Sequence, residues 1–593
     1  MYRKFYLTLT LISALVVLAF ALLAAYREAT PEWKTYRSEY RKLFIEKAEA
    51  AGKEAVLPDM DIQQIYLPEL QRVDRCTNCH AGVDNPLMAD AEIPYRQHSG
   101  DYLQNHPVER FGCTVCHQGQ GRATNKKEAH GEGRDTHWDY PIIPLKYIQS
   151  SCAVCHDLDM LERSGADKVA EGARLFRQKG CKGCHKLNGV GGVLGKYLDG
   201  VGSQPIAYFP MKYIKGEKTV YSWLRQHFED PRSIVPGSLM KVNLTAGEAD
   251  LLTTYMLSLR SEEMPARYRR IRHAGAEETP DGESLYRMYC IACHTTGKKS
   301  VYDSIFKRTI PAIMDPAFLR TANDLFLKRV IKEGRTGTPM TAWKAGGAGL
   351  TDEEINRIIS YITRDRPASA GQAARGIITA KRITGDIPLQ PADALWRRAQ
   401  EFTVPLMLVG QAPDPMDRLV RVRALYNDRD IAFLVEWEDE TRDVSLGVNT
   451  FRDGVALQFP VQNTVEPSFR MGQGKGRDSR GMVNIWFWKA DVQESLDRGG
   501  RKAGLSPVEN LTATGFGTLK LKEDASVPVY GRGQWLNGRW RVVFRRAFSG
   551  HEGDAVFTAG VLTPVSFAVW DGAEENVDGK KAVSAWYYIV PGR

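Results

Sequence analysis

The chain has 593 residues, too many for one hydrophobic core, so several domains of ordinary length are expected. Its composition, 43% hydrophobic, 25% charged and 10% aromatic, is that of a folded globular protein and excludes wholesale disorder. The net charge of +9 is mild and its basic residues are interleaved with acids, so no nucleic-acid partner is expected; acidic redox partners and anionic lipid surfaces remain compatible.

Tyr6 to Ala25 is a charge-free apolar run of membrane-spanning length, preceded by Arg3 and Lys4 and followed by mixed charge from Arg27. Residues 1–30 are read as a retained transmembrane anchor that leaves the bulk of the chain outside the membrane. A cleaved signal peptide is the competing reading, because Ala21, Ala24 and Ala25 offer small residues for cleavage. Glu32 to Ala55 has helix-forming composition with an apolar side, and is expected to lead away from the anchor as a helix.

All ten cysteines fall into C-x-x-C-H units: Cys76/Cys79, Cys113/Cys116, Cys152/Cys155, Cys181/Cys184 and Cys290/Cys293. This is the attachment signature of c-type haem, in which two thiols take the two vinyl groups of one porphyrin and the adjoining histidine reaches the iron. Paired C-x-x-C zinc sites would need the units to cooperate in twos, and five is an odd number. Five covalent haems c follow, with proximal ligands His80, His117, His156, His185 and His294. Attachment of this kind takes place on the outer side of the energy-transducing membrane, so the expected location is the bacterial cytoplasmic membrane, single-pass, with the bulk in the periplasm.

Residues 31–165 hold three of these units with little regular periodicity between them, and are read as a three-haem region whose core must be porphyrin. Three haems there need three distal ligands, and four further histidines lie in the segment. His98, His106 and His130 each sit beside Gly or Pro or in a loop (QHSG, NHP, AHG), with His137 in reserve. ERFGCTVCHQGQGRAT and the flanking histidines resemble the three-haem N-terminal regions of membrane-attached multihaem cytochromes.

Residues 166–262 and 263–368 look like one motif used twice. Each opens with a short amphipathic helix running into its haem unit, passes a Pro/Gly-rich loop bearing a methionine (IVPGSLMK, GRTGTPMTAW) and closes with a helix. The closing helices begin at Thr245 and Thr351 with glutamate three residues on, the capping-box pattern. Apolar residues then recur at Leu251, Leu252, Tyr255, Met256 and Leu259, and at Ile355, Ile358, Ile359 and Ile362, one buried helical face each. Both segments resemble class I cytochrome c domains. Met240 and Met340 are the expected distal ligands, whereas Met256, Met288 and Met314 fit core packing. Thioether ligation is expected to place these two haems above the bis-imidazole three-haem region in potential, unless burial reverses the order. His227, His273 and His551 fit no ligand position.

Residues 369–393, rich in Ala, Gly and Pro, read as a linker. Beyond it, in 394–593, apolar residues alternate at period two (Ile431, Phe433, Val435, Trp437; Val483, Ile485, Phe487), which predicts an antiparallel β-sandwich. Asn537-Gly538 is the strongest hairpin signal, and eight of the twelve tryptophans lie here. The fold class is therefore multidomain: one N-terminal transmembrane helix, mostly helical or irregular cytochrome c domains, and a C-terminal sandwich. LWRRAQEFTVPL, FRDGVALQFPV, FRMGQG, VNIWFWKAD and DGKKAVSAWYYI resemble the haem b-binding γ subunit of ethylbenzene dehydrogenase and its relatives. That resemblance implies one non-covalent haem b held between a methionine and a lysine; by position these are Met471 and Lys581, with Lys580 and Lys489 as alternatives.

These features point to an electron-transfer subunit with no independent catalysis. The expected partners are other subunits of a membrane respiratory complex, of cytochrome b or molybdenum/iron-sulfur type, and soluble periplasmic cytochromes. The rival reading is a multihaem oxidoreductase with a catalytic haem, such as a peroxidase or a nitrogen- or sulfur-oxide reductase. It needs a vacant axial position, while distal candidates suffice for all five c-haems.

Overall fold

The computed structural model describes residues 2–132, 138–269, 279–335, 338–344, 346, 348–367, 373–408, 418–462, 481–499, 506–515, 517–522 and 528–592. The chain forms two compact units, one of residues 1–178 and 197–277, the other of 179–196 and 278–593.

The first unit begins with the helix Tyr2–Ala29, in which no residue is buried. Its most apolar 18-residue window has a mean hydropathy of 2.6, and among the described residues it is the one stretch long and apolar enough to cross a membrane. After Pro31 the helix Glu32–Ala50 turns one stripe inward: Trp33, Arg37, Tyr40, Phe44 and Ala48. The spacing of three and four residues is that of a single helical face. Tyr40, Phe44 and Ala48 pack against Met88 and Ala91 of the three-haem segment. From Leu57 on, the described residues of that segment form only helices of three to six residues and the two-stranded ribbon Ile65–Leu67/Arg72–Asp74.

Each cytochrome-like segment crosses its first helix over its last at a glycine. In the first unit Asp167–Gln178 meets Ala246–Ser258, and a Cβ on Gly172 would lie 2.3 Å from the Leu251 carbonyl oxygen. In the second unit Gly282–Tyr289 meets Asp352–Ile362, and a Cβ on Gly282 would lie 2.2 Å from the Arg357 carbonyl oxygen. Only glycine permits backbones this close. Both capping boxes form: Thr245 with Glu248, and Thr351 with Glu354.

The second unit takes in 179–196, the loop of the fourth haem motif. There the Gly191 amide donates to the Ala348 carbonyl at 2.8 Å, and Val190 packs on the apolar cluster of the helices Asp324–Glu333 and Asp352–Ile362. The same cluster continues into the sheet through Ile485, Leu511, Trp586 and Tyr588. Asn323 Nδ2 donates to the Trp586 carbonyl at 2.9 Å. The second cytochrome segment and the sheet thus share one core.

The sheet has thirteen described strands and folds into two packed layers. Inward-facing Val422, Phe433, Val435 and Phe544 from one layer meet Leu457, Phe459, Trp486 and Phe567 from the other. The pairing is antiparallel, with one exception that corrects the expected linker. Ile377–Arg382 forms a strand, parallel to both Tyr587–Pro591 and Arg418–Tyr426. Its Ile378 and Ala380 are buried and alternate with exposed neighbours; the run is too short and its flanks too rich in Ala and Gly for composition to reveal it. The Asn537-Gly538 turn closes as expected, with φ of 53° and 70°, and sets Trp535 opposite Trp540.

Candidate functional site: the haem attachment turns and the sheet cavity

All five C-x-x-C-H units adopt one turn. The amides of Cys79, Cys116, Cys155, Cys184 and Cys293 donate to the carbonyls of Cys76, Cys113, Cys152, Cys181 and Cys290 respectively, each at 3.2 Å. The histidine's amide donates to the same carbonyl at 2.9–3.0 Å. One helical turn sets residues i, i+3 and i+4 on one side, so both thiols and the imidazole face the same way. All ten cysteines are outside disulfides.

Burial pushes the thiols of Cys116, Cys181 and Cys290 up to about 12, so they wait as neutral thiols. Cys184 and Cys293, the second thiols of the fourth and fifth units, are half-buried, and the shared turn places them beside Cys181 and Cys290. Burial lowers the pKa of His80, His117, His185 and His294, which keeps the imidazoles neutral, the form that binds a metal. His185 directs Nδ1 at the Lys196 carbonyl, 2.8 Å away, leaving Nε2 for iron.

In the three-haem segment each motif histidine faces one of the histidines singled out from sequence. Ring centres lie 6.3 Å apart for His80 and His130, 6.1 Å for His117 and His98, and 5.9 Å for His156 and His106. Two imidazoles on opposite sides of one metal, each about 2.0–2.1 Å from it with the ring centre about 1.1 Å behind the ligating nitrogen, put their centres roughly 6.2 Å apart. The outer three are also held by Nδ1: His98 to the Ser99 carbonyl at 2.9 Å, His106 to the Tyr102 carbonyl at 3.1 Å and His130 to the Glu132 carboxylate at 3.2 Å. Each Nε2 is thereby left for the facing metal. The donor set fits bis-imidazole iron. His137 lies outside the described residues, as does His273.

Met240 and Met340 share a local device. The Met240 amide donates to Ser238 Oγ and the Met340 amide to Thr338 Oγ1, both at 3.2 Å. Both side chains are half-buried, whereas Met256 and Met314 are core residues. Met340 borders the same apolar cluster as Cys290. His227 stacks on Trp223 with ring centres 4.5 Å apart, as a packing residue would.

On the sheet, a cavity of about 390 Å³ is lined by Ile485, Phe487, Phe567, Trp570, Val583 and Lys581, among others. Lys581 is 7% exposed and its ammonium stands 4.8 Å from the centre of the Trp570 ring. Burial lowers its pKa to about 8, which favours the free amine that a metal requires. Lys581 donates to the Asp578 carbonyl at 3.3 Å on the cavity wall, whereas exposed Lys580 donates to the Glu574 carbonyl at 2.8 Å and Lys489 pairs with Glu509 at 2.5 Å. Met471 lies outside the described residues. A desolvated amine at the rim of an apolar cavity fits a haem ligand.

Family models match for cytochrome c at residues 169–260, for the cbb3-type cytochrome c oxidase subunit III at 277–362, and for ethylbenzene dehydrogenase at 393–515. The ORF7 protein of Haloferax mediterranei, assigned provisionally as a respiratory nitrate reductase heme subunit, is 30% identical over 40% of this chain and 80% of its own length. The gamma subunit of dimethylsulfide dehydrogenase from Rhodovulum sulfidophilum is 30% identical over 33% of this chain and 72% of its own. This chain belongs to the ethylbenzene dehydrogenase γ-type haem-subunit family. The chlorate reductase gamma subunit of Ideonella dechloratans, 29% identical over 36% of this chain and 85% of its own, is a further relative. As a γ-type subunit fused to cytochrome c domains, the chain carries haem c in those domains and haem b in the sheet domain.

Proposed function

We propose that this γ-type chain is the electron-transfer subunit of a membrane-bound respiratory oxidoreductase, working on the periplasmic side with five covalent haems c and one haem b. The observation that carries the proposal is the pairing of three motif histidines with three further histidines at the separation one iron demands. His130, His98 and His106 are the distal ligands opposite His80, His117 and His156. Met240 and Met340 serve the two cytochrome c domains, and Met471 with Lys581 the haem b. All ten cysteines, Cys184 and Cys293 included, are consumed as thioethers to the five porphyrins. Haem when bound supplies one-electron transfer. The chain's residues attach it, fix both axial positions and exclude water.

Filled axial positions favour relay over catalysis at iron, against the peroxidase or oxide-reductase reading. The helix Tyr2–Ala29 supports single-pass anchoring in the cytoplasmic membrane. The relatives' names, subunits of nitrate and chlorate reductases and of a dehydrogenase, support a partner of the molybdenum/iron-sulfur type, with a quinol-linked cytochrome b and soluble periplasmic cytochromes as further exchange partners.

A pyridine haemochrome spectrum together with the denatured mass tests the count. Five covalent haems and one extractable haem b are expected. Fewer covalent haems, or rapid stoichiometric binding of carbon monoxide at one reduced haem, would overturn the assignment.

A further inference from the structure

Asp74 ends the strand Arg72–Asp74 and is 0% exposed. One carboxylate oxygen accepts from the Cys113 amide at 2.8 Å, the Thr114 amide at 3.1 Å and the Thr114 hydroxyl at 3.0 Å. Thr114 opens the single turn Thr114–His117 that presents the second motif histidine, so this turn is capped by a residue from a distant segment. The other oxygen lies 3.2 Å from the sulfur of Cys76, which opens the first motif. The Sγ atoms of Cys76 and Cys113 and a carboxylate oxygen of Asp74 are all within 4.8 Å of one another. Space for the carboxylate comes from Gly112, at φ +67°, where a Cβ would stand 2.2 Å from Asp74 Oδ2.

One aspartate and two sulfurs have the form of a metal site, yet both sulfurs are consumed by thioether attachment, so a metal is not what this carboxylate serves. It accepts from two amides and a hydroxyl, an arrangement suited to the ionised, acceptor-only form. It caps the turn Thr114–His117, which carries the motif histidine of the second site. Away from water a charge acts strongly on its neighbours, and a negative one favours the oxidised, more positive iron over the reduced.

We infer that Asp74 is a positioning residue that holds the first two haem attachment sites side by side and depresses the reduction potentials of both. The inference rests on the haem reading above and adds a residue to it: these two haems are lower in potential than bis-imidazole ligation alone would make them.

The test is Asp74→Asn in the detergent-extracted holoprotein, titrated potentiometrically by absorbance and electron paramagnetic resonance. Asparagine keeps an acceptor oxygen for the Cys113 and Thr114 amides and removes the charge. Two c-haem potentials are expected to rise, each by at least about tenfold in the one-electron equilibrium, about 59 mV, while the other three stay in place. Unchanged potentials with all haems attached, or a common shift of all five, would overturn the inference. Thr114→Val supplies a second arm should the first variant lose haem: it removes the hydroxyl donor and leaves the charge less neutralised. The same two potentials should then fall, and a rise or no change counts against Asp74. A failure of the haem count itself would show separately, in the wild-type mass.

Discussion

The three-haem segment and the β-sandwich stand at opposite ends of one scale. Between Leu57 and Leu161 the buried apolar side chains are few and scattered: Leu67, Leu70, Met88, Ala91, Val108, Ile143, Tyr147 and Leu161 among them. The sandwich buries Trp486, Trp488, Trp586, Phe433, Phe459 and Phe544 almost completely. A segment of about a hundred residues with so little side-chain core cannot offset its chain entropy, whereas the sheet layers enclose an apolar core of their own and share a second with the cytochrome segment before them. On the function proposed above, the first region obtains its interior from a cofactor, while the second builds one from its own side chains.

Removing the cofactor puts that contrast to its largest test. Produced without haem attachment, the full chain should lose the three-haem segment to limited proteolysis while the sandwich survives as a resistant fragment; a resistant three-haem segment would break the contrast. Next in size is Trp486→Ala. Its ring packs against Phe433, Phe459 and Phe557, and its Nε1 donates to Asn484 at 3.0 Å, so the cost should be about 3–5 kcal/mol in denaturant unfolding of the sandwich.

Lys581 sharpens the comparison, because there the sheet domain would meet its proposed cofactor. Its folded pKa of about 8 lies below the ordinary lysine value of 10.5. Stability should therefore rise with pH between those values, since the unfolded chain binds the extra proton. Retention of haem b should strengthen about tenfold per pH unit up to about 8 and level off above it, because the proposed ligand binds as the free amine. Dialysis of the holoprotein over that range measures this, and Lys581→Met should abolish the dependence.

The smallest effect concerns Asp439, Asp453 and Asp571, whose oxygens converge at the ends of three strands. Burial, reinforced by the other two carboxylates, pushes Asp439 up to about 7; burial pushes Asp453 up to about 6. Raised carboxyl pKa values mean the folded state holds protons the unfolded chain releases, so melting temperature should fall between about pH 4 and pH 7. Asp439→Asn should flatten that slope.

The haem attachment turns, both capping boxes, the twin cytochrome helices and the Asn537-Gly538 hairpin were all legible in the sequence, because each rests on residues close together in the chain. The strand Ile377–Arg382 was not, since its pairing partners lie far off at Tyr587–Pro591 and Arg418–Tyr426. Nor was Asp74, whose hydrogen bonds run to residues about forty positions away. Composition could suggest three of four histidines as a set, but their order defeats sequential reasoning: the first motif faces His130, the second His98 and the third His106.

Local chemistry was thus fixed by spacing alone: two thiols and an imidazole on one helical turn, a hydroxyl before a closing helix, alternating apolar residues along a strand. Tertiary structure decided which imidazoles face each other, that Lys581 rather than Lys580 enters the cavity, and that one carboxylate touches two attachment sites. The reason is physical. Periodicity and capping act over a few bonds, whereas ligand pairing, desolvation and the field of a buried charge depend on distances that only the folded chain defines.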